Sequence, residues 1–305
     1  MSPVDRRLWL LVSRRCNIRC SFCPIEFTGE DMPLDVARRA IAAYRASLPA
    51  GAAPVVKFFG GEPFLNWPVM EAAIEEARGT GLSFQITTNG MFLDAEKLAY
   101  LRARPEVEMS LSFRTEGGAQ LPGVWFNDVL TQGSSAEAAI DKMRALLADG
   151  YRRFNILPAF FTPWSPEELR ELDRSFAALS RLFRGLWAQG VDVRLRNPET
   201  SSPFPLYNAS LTVDVDGQVY SSSLVESRGT EAYRSFLRVG SVDAWPAAGE
   251  PRRDGRYLRV LLERWAGPEL WRCTREADAA LTRFVESLST APGPEPARRV
   301  AELVP

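Results

Sequence analysis

The chain of 305 residues contains no histidine. This absence excludes a Ser-His-Asp triad, a histidine-ligated metal site and general-base catalysis by imidazole. Cysteine is scarce as well: there are four, of which three fall within residues 16–23, and the fourth is Cys273. So uneven a distribution is not that of a secreted disulfide framework, and we therefore expect a cytoplasmic protein.

Neither sign of charge prevails, since 37 basic and 38 acidic residues leave a net charge of -1. No nucleic-acid partner and no membrane surface are therefore expected. Long apolar runs are also lacking near the N-terminus, where a short run over residues 8–12 lies between arginines. That run is too short for a signal peptide or a membrane span, and it predicts a first strand.

With 46% apolar and 25% charged residues, the composition is that of a globular protein with a sizeable core. Strand-like apolar segments alternate with amphipathic helical segments that open at signals such as Pro33 and Asp94, and Gly79 fits a helix end. A glycine-rich loop follows the fourth predicted strand. The six predicted strands lie at 8–13, 55–60, 82–90, 107–113, 152–161 and 191–196. This alternation predicts the α/β class, with parallel strands curled into a partial (β/α)6 barrel.

The pattern changes at the end of this alternation, which predicts one domain over residues 1–198 and a second over 199–305. Residues 210–223 predict a hairpin with an Asp-Gly turn, and residues 236–242 predict one more short strand. Residues 256–288 are helical in pattern, and the proline-rich residues 290–305 predict a mobile tail. The second domain is thus interpreted as a small α+β extension.

Cys16, Cys20 and Cys23 directly follow the first predicted strand. Thiolates on one loop can ligate three irons of a [4Fe–4S] cluster and leave the fourth iron open for chemistry. The alternative is a structural zinc site completed by Cys273. Zinc sites more usually pair Cys-x2-Cys units, so the spacing favours the cluster.

The second motif, FFGGEP at residues 58–63, ends the second predicted strand. Two glycines let the backbone approach a ligand closely, and Glu62 offers acceptors to an ammonium group. Alone, the motif could be a plain turn between a strand and a helix. Together with CxxxCxxC one βα unit earlier, TTNG at 87–90 and SLSF at 110–113, it makes the chain resemble the radical S-adenosylmethionine (SAM) superfamily over about residues 8–197.

This resemblance implies that Cys16, Cys20 and Cys23 hold one [4Fe–4S] cluster and that SAM binds its open iron. A one-electron reductant of the flavodoxin or ferredoxin type would supply the electron. The implied SAM pocket places Phe22 along the adenine, Gly60, Gly61, Glu62 and Pro63 at the methionyl amine, and Ser110, Ser112 and Asn89 at the ribose or carboxylate.

Members with the SPASM or twitch extension usually carry SLDG on the fourth strand and a hairpin cysteine that begins an auxiliary iron–sulfur site. Here Ser112 stands in place of the aspartate, and serines occupy positions 221–223. The resemblance therefore implies a twitch-like extension that has lost its metal.

The implied activity is reductive cleavage of SAM to a 5′-deoxyadenosyl radical, which abstracts hydrogen from an unactivated carbon of a ribosomally synthesised peptide. An alternative is a radical SAM epimerase, or another redox-neutral enzyme, acting on a small-molecule natural-product intermediate such as a sugar, aminocyclitol or amino acid. A non-catalytic zinc or redox-sensing protein is the alternative from a different class.

Cys273 lies in a helical segment and has two interpretations. Free cysteine is among the most buried residue types, so it is expected in the core. Radical epimerases of the superfamily use a cysteine thiol to return a hydrogen atom to the substrate radical, and Cys273 is the only cysteine left for that role.

Overall fold

The computed structural model describes residues 7–49, 51–197, 207, 209–247 and 255–289. The chain forms two compact units: the first comprises Met1–Ser110 and Ser202–Trp265, and the second comprises Leu111–Ser201 and Ala266–Pro305. The domain boundary predicted between residues 198 and 199 lies outside the described residues and stays a prediction. The predicted tail at 290–305 lies outside them too.

The described strands and helices follow one another along the chain in a mostly alternating order. The strands are β1 (Leu8–Ser13), β2 (Val55–Gly60), β3 (Ser83–Thr88), β4 (Val107–Leu111), β5 (Trp125–Leu130), β6 (Arg153–Pro158), β7 (Arg194–Leu195), β8 (Ala209–Val213), β9 (Gln218–Ser222) and β10 (Arg238–Ser241). The helices are α1 (Leu34–Ser47), α2 (Trp67–Glu76), α3 (Ala95–Arg102), α4 (Ala136–Ala148), α5 (Pro166–Ala188), α6 (Glu231–Leu237) and α7 (Gly255–Ser289).

In the first unit the strand order is β10-β9-β8-β1-β2-β3-β4. Strand β1 lies inside this sheet, with parallel partners β2 on one side and β8 on the other, and every one of its residues is buried. Because both faces of such a strand are covered, its sequence must be apolar throughout, and LWLLV meets that requirement. The parallel strands of this unit bring the segments that follow β1, β2 and β3 to one edge of the sheet.

The helices of the first unit begin where the sequence signals predicted. Pro33 directly precedes α1 in an extended conformation, and the Asp94 side chain accepts from the Lys97 amide at 2.9 Å at the start of α3. Helix α2 ends at Glu76, earlier than predicted, and Gly79 lies beyond its end with φ 73°. The predicted hairpin is confirmed as the antiparallel pair β8–β9, to which β10 adds a third strand.

The second unit contains three parallel strands in the order β5-β6-β7. Its core includes the ring pairs Phe154–Phe183 and Phe176–Phe284, with centroids 6.0 and 5.0 Å apart. These pairs pack α5 against β6 and join it to the C-terminal part of α7. Helix α5 opens with a capping box between Ser165 and Glu168, which satisfies two amides of its first turn.

Two elements of the structure were not predicted from the sequence. The segment assigned to a glycine-rich loop contains β5, and α6 precedes β10. Only Arg194–Leu195 of the strand predicted at 191–196 pairs with β6. The α/β class with mostly parallel strands is nonetheless confirmed.

Helix α7 is two helices divided at Gly267, whose φ of 71° and ψ of 168° are not helical. Pro268 follows at the first position of the second part, where its missing N–H costs nothing. Among the described residues, no helix combines the length and apolarity needed to cross a membrane.

Candidate active site

The cysteine loop, residues 16–23, follows β1 in the first unit. All three of its thiols are free and half-buried, and the Cys23 amide donates to the Cys20 carbonyl at 3.1 Å. Burial first, and then the charge that neighbouring Cys16 carries when ionised, raises the pKa of Cys20. Burial, together with the nearby Cys20, Glu226 and Cys16, raises the pKa of Cys23 to about 11. Burial thus disfavours the thiolate forms of Cys20 and Cys23, and a positively charged metal centre would offset that cost.

Two arginines contact the loop at its first and last cysteines. Arg19 Nη1 donates to the Cys16 carbonyl at 2.7 Å, and its guanidinium lies 4.3 Å from the centre of the Phe27 ring. Arg228 Nη2 donates to the Cys23 carbonyl at 2.6 Å. No sequence signal singled out Arg228, which lies 205 positions beyond Cys23.

The two glycines of GGEP are required because the backbone after β1 lies directly against them. A Cβ atom on Gly60 would lie 2.2 Å from the Ser13 carbonyl oxygen, and one on Gly61 would lie 2.1 Å from the Arg15 carbonyl oxygen. In addition, the Gly61 amide donates to Ser13 O at 2.9 Å and the Glu62 amide donates to Arg15 O at 2.7 Å. The close approach that the structure shows is therefore to the backbone that leads into the cysteine loop, and an approach of the two glycines to a ligand stays a prediction.

The Glu62 carboxylate joins two strand ends, and it is 1% exposed. Its Oε1 accepts from the Phe64 amide at 3.0 Å and from Thr88 Oγ1 at 2.6 Å, while Oε2 accepts from the Asn89 amide at 2.8 Å. Burial raises the pKa of Glu62 in spite of these donors. Because a carboxylate offers about four acceptor positions, Oε2 retains one for a further donor.

Asn89 connects the end of β3 to the cysteine loop. Its Nδ2 donates to Asn17 Oδ1 at 2.8 Å, and its Oδ1 accepts from the Met91 amide at 3.0 Å. Asn17, between Cys16 and Cys20, was not predicted as a site residue. The structure therefore brings the segments after β1, β2 and β3 together through side-chain hydrogen bonds.

The remaining predicted SAM-pocket residues are placed as follows. Phe22 is half-buried in the turn between Cys20 and Cys23, and Pro63 is buried in the short 3-10 turn Pro63–Asn66 that follows Glu62. Ser110 is 4% exposed at the end of β4 in the first unit. Ser112 is half-buried and belongs to the second unit.

Cys273 also belongs to the second unit, where it is 1% exposed on α7. Its Sγ lies 3.4 Å from the Trp164 amide nitrogen and 3.5 Å from the Trp164 carbonyl oxygen. On the adjacent residue, Thr274 Oγ1 accepts from the amide of Phe161, a residue with φ 56°. These contacts support a core position for Cys273, and its role as a hydrogen donor stays a prediction.

Residues of the β8–β9 hairpin and of the segment after it contact the residues that flank the cysteine loop. Asp214, which follows β8, accepts from Arg14 Nε at 2.8 Å and Nη2 at 2.7 Å, and from Arg234 Nη2 at 2.7 Å. Hydrogen bonds from these arginines outweigh the opposing effect of burial, and they hold the pKa of Asp214 below its ordinary range. Ser227 forms an antiparallel bridge with Ile25, two residues after Cys23.

Serines 221–223 are all buried. Ser222 Oγ accepts from the Leu224 amide at 3.2 Å at the start of the turn that leads to Ser227 and its bridge with Ile25. Within the described residues, no three histidine, cysteine or carboxylate side chains converge tightly enough to hold a single metal ion.

The family model described as the Radical SAM superfamily matches residues 10–175, more than half of the chain. The fold and the cysteine loop thus define a SAM-dependent radical enzyme. The chain belongs to the radical SAM superfamily.

Solved structures share the fold. The structure of anSMEcpe with bound AdoMet and the Cp18Cys peptide is 14% identical, with a TM-score of 0.63, over 81% of this chain and 79% of that one. The structure of anSMEcpe with bound AdoMet and the Kp18Cys peptide is 15% identical, also with a TM-score of 0.63, over 81% and 79%. SuiB of Streptococcus suis bound to precursor peptide SuiA is 14% identical, with a TM-score of 0.50, over 70% of this chain and 58% of that one. No curated protein matches the sequence.

Proposed function

We propose that this enzyme cleaves SAM reductively and abstracts a hydrogen atom from a carbon of a ribosomally synthesised peptide. Cys16, Cys20 and Cys23 would hold a [4Fe–4S] cluster. When bound, that cluster supplies an electron to the sulfonium of SAM and leaves a 5′-deoxyadenosyl radical as the hydrogen-abstracting species. A flavodoxin- or ferredoxin-type protein is the proposed source of the electron.

One observation carries the proposal: a single buried carboxylate, that of Glu62, ties together the ends of β2 and β3 beside the cysteine loop. Its backbone amide is bonded to Arg15, which directly precedes Cys16. Groups held by several strands keep their positions when a ligand binds, which is what a positioned reaction requires. The free acceptor position on Glu62 Oε2 is the proposed contact for the methionyl ammonium, whose positive charge offsets the cost of burying the carboxylate.

The other predicted residues of the first unit line the pocket in this proposal. Phe22 offers an apolar ring for the adenine, and Ser110 offers a hydroxyl at the end of β4. The peptide substrate is supported by the two neighbours whose structures carry peptides, anSMEcpe with Cp18Cys and SuiB with SuiA.

The test begins with anaerobic reconstitution of the unaltered protein and of Cys16→Ala, Cys20→Ala and Cys23→Ala. The unaltered protein is expected to bind about four irons per chain and to form 5′-deoxyadenosine from SAM under a strong reductant. Each cysteine variant should lose most of its iron and all SAM cleavage. Formation of 5′-deoxyadenosine by a variant with all three cysteines replaced would refute the assignment.

The substrate is tested separately by incubating the loaded enzyme with short peptides encoded beside its gene and measuring their mass change. A changed peptide mass that requires SAM and reductant is expected. Modification of a sugar, aminocyclitol or free amino acid, with every peptide unchanged, would show that the substrate is a small molecule and not a peptide.

A further inference from the structure

Glu226 is a buried carboxyl that the proposed function does not use. It ends the 3-10 turn Ser223–Glu226, which follows β9, and it is 3% exposed. Among the described residues, no donor bonds to its Oε2. Glu62 is similarly buried, yet its carboxylate accepts from two amides and a hydroxyl. A buried acid without donors costs stability, so packing alone does not account for Glu226.

Backbone hydrogen bonds hold Glu226 beside the cysteine loop. The Glu26 amide donates to the Glu226 carbonyl at 2.7 Å, and the Arg228 amide donates to the Pro24 carbonyl at 2.9 Å. An antiparallel bridge lies between these two bonds. Since Pro24 directly follows Cys23, this pairing keeps the segment that carries Glu226 against the end of the cysteine loop.

Other contacts fix the same segment on both sides of the carboxyl. Before it, the Val225 carbonyl accepts from Arg234 Nη1 at 3.1 Å and from Thr230 Oγ1 at 3.4 Å. After it, Ser227 Oγ lies 2.5 Å from the hydroxyl of the buried Tyr207. Because the backbone is held before and after the carboxyl, its position relative to the cysteine loop is fixed.

The Glu226 carboxyl and the Cys23 thiol interact through their charges. Burial is the main cause that raises the pKa of Cys23 to about 11, and the charge of Glu226 contributes to that rise. The pKa of Tyr207, raised mainly by burial, responds to both of these groups. Among the described residues, no hydrogen bond joins the Glu226 carboxyl to the loop. By linkage, a change of charge at Cys23 therefore changes the affinity of Glu226 for its proton.

Burial is also the main cause that raises the pKa of Glu226 well above 4.5. Arg14 and Lys57 favour the carboxylate, whereas Asp214, the partner of Arg14, opposes it. The charged and titratable groups around the turn are Arg14 at the end of β1, Lys57 on β2, Asp214 after β8, Arg234 on α6, Tyr207 and Cys23. The burial of the carboxyl outweighs the two cations, so the neutral acid is the favoured form.

We propose that Glu226 takes up a proton when the cluster held by Cys16, Cys20 and Cys23 accepts an electron. The inference rests on the proposed function in placing a [4Fe–4S] cluster on these cysteines. One electron passes from the reductant to the cluster, and one proton passes from solvent to the Glu226 carboxylate, which becomes the neutral acid. The net charge of the site is then unchanged, so the reduced state adds no buried negative charge.

The test measures the midpoint potential of the reconstituted protein, without SAM, by titration monitored with electron paramagnetic resonance. Reduction adds negative charge, so Glu226 should bind its proton about tenfold more tightly in the reduced state. For a one-electron step, a tenfold change corresponds to about 59 mV. The potential should stay constant near about pH 6, where Glu226 is neutral in both states, and should fall by about that amount toward about pH 9.

Matched variants assign the pH dependence to this carboxyl. Glu226→Gln cannot titrate, so its potential should stay constant over the whole range, and Glu226→Asp should restore the fall. Glu30→Gln is the control near the loop, because Glu30 is exposed and a hydrogen bond from the Thr28 side chain lowers its pKa. Removing that charge should shift the potential equally at every pH. A fall that persists in Glu226→Gln, or that the unaltered protein lacks, would overturn the proposal.

A second measurement needs no cluster. The reduced, iron-free full chain is treated with iodoacetamide, and alkylation of Cys23 is followed by mass spectrometry. Without the Glu226 charge Cys23 ionises more readily, so Glu226→Gln should react about twofold to fivefold faster than the unaltered protein at about pH 9, and Glu30→Gln should not. Equal rates in all three proteins would overturn the proposal alone. A protein that shows the rate difference yet binds no iron would refute the proposed function, and this proposal with it.

Discussion

Arg14 and Asp214 form a buried, two-bond ion pair across 200 positions of sequence, with Nε–Oδ1 and Nη2–Oδ2 distances of 2.8 and 2.7 Å. Their side chains are 5% and 2% exposed. Arg14 lies two residues before Cys16, and Asp214 begins the turn of the β8–β9 hairpin. The hairpin thus holds the start of the cysteine loop in place.

Asp214→Asn should leave the Arg14 guanidinium buried without a compensating charge. We expect the free energy of unfolding to fall by about 3 kcal/mol, as for other broken buried pairs, and iron retention after reconstitution to fall with it. Denaturant unfolding and iron analysis measure the two effects. Arg39→Gln, which breaks the exposed pair with Asp243, is the control and should cost less than about 1 kcal/mol. Equal losses in the two variants would contradict this account.

The buried carboxyl of Glu226 makes the free energy of unfolding depend on pH. Burial raises its pKa well above the ordinary 4.5, and its Oε2 has no hydrogen-bond partner among the described residues. A carboxyl whose folded-state pKa is raised binds its proton more tightly when folded, so its contribution to stability declines as the pH rises above 4.5.

Glu226→Gln removes that titration. The free energy of unfolding of the variant should exceed that of the unaltered protein at about pH 8, and the difference should shrink toward about pH 4. Urea unfolding across this range measures it, and Glu96→Gln, an exposed position, is the control. A difference that does not change with pH would show that Glu226 is not buried as a neutral acid.

Gly61→Ala tests the joint between GGEP and the cysteine loop. The new Cβ would lie 2.1 Å from the Arg15 carbonyl oxygen and 3.2 Å from the Cys16 Cβ. We expect a loss of roughly 1–3 kcal/mol in stability, together with weaker iron retention and weaker SAM binding. Gly185→Ala, in open space on α5, should stabilise the protein by about 0.5–1 kcal/mol. A Gly61→Ala protein with full iron content would show that the cysteine loop can shift to accommodate the new Cβ and still hold iron.

Arg228→Gln tests the contact at Cys23. Removing a cation that lies beside Cys23, a proposed cluster ligand, should shift the midpoint potential of the reconstituted cluster to more negative values, on the order of tens of millivolts. Potentiometric titration followed by electron paramagnetic resonance measures this shift. Arg38→Gln, which removes an exposed charge from α1, should leave the potential unchanged. An unchanged potential in Arg228→Gln would show that Arg228 stabilises the backbone at Cys23 without tuning the cluster.

Cys273→Ser and Cys273→Ala separate packing from hydrogen donation. Serine retains a group that can bond to Trp164, whereas alanine leaves a small cavity and should cost about 1 kcal/mol of stability. Because the thiol is 1% exposed, we expect both variants to form product with the same uptake of solvent deuterium as the unaltered enzyme. Loss of deuterium uptake in both variants would identify Cys273 as the hydrogen donor.

The sequence predicted those parts of the site that lie in short motifs after strands. Cys16 and Glu62 each follow a predicted strand and Asn89 lies at the end of one, and parallel pairing alone brings them to one edge. Arg228 and Asp214 could not be found in this way, since only the completed hairpin brings them to the loop. Strand β5 was missed because Asn127 and Asp128 interrupt its apolar pattern. Asp128 is nevertheless buried, with Lys142 of α4 as its partner.

The cysteine loop is far in sequence from Asp214 and Arg228, which stabilise it, and this separation determines when a cluster can be inserted. A ribosome delivers the N-terminal part of a chain first, so residues 16–23 emerge long before Asp214 and Arg228. Until then the loop lacks the contacts at Arg14 and at the Cys23 carbonyl that give it its shape. We therefore expect iron–sulfur carriers to load the finished polypeptide, and a nascent chain that stops before residue 214 to accept no cluster.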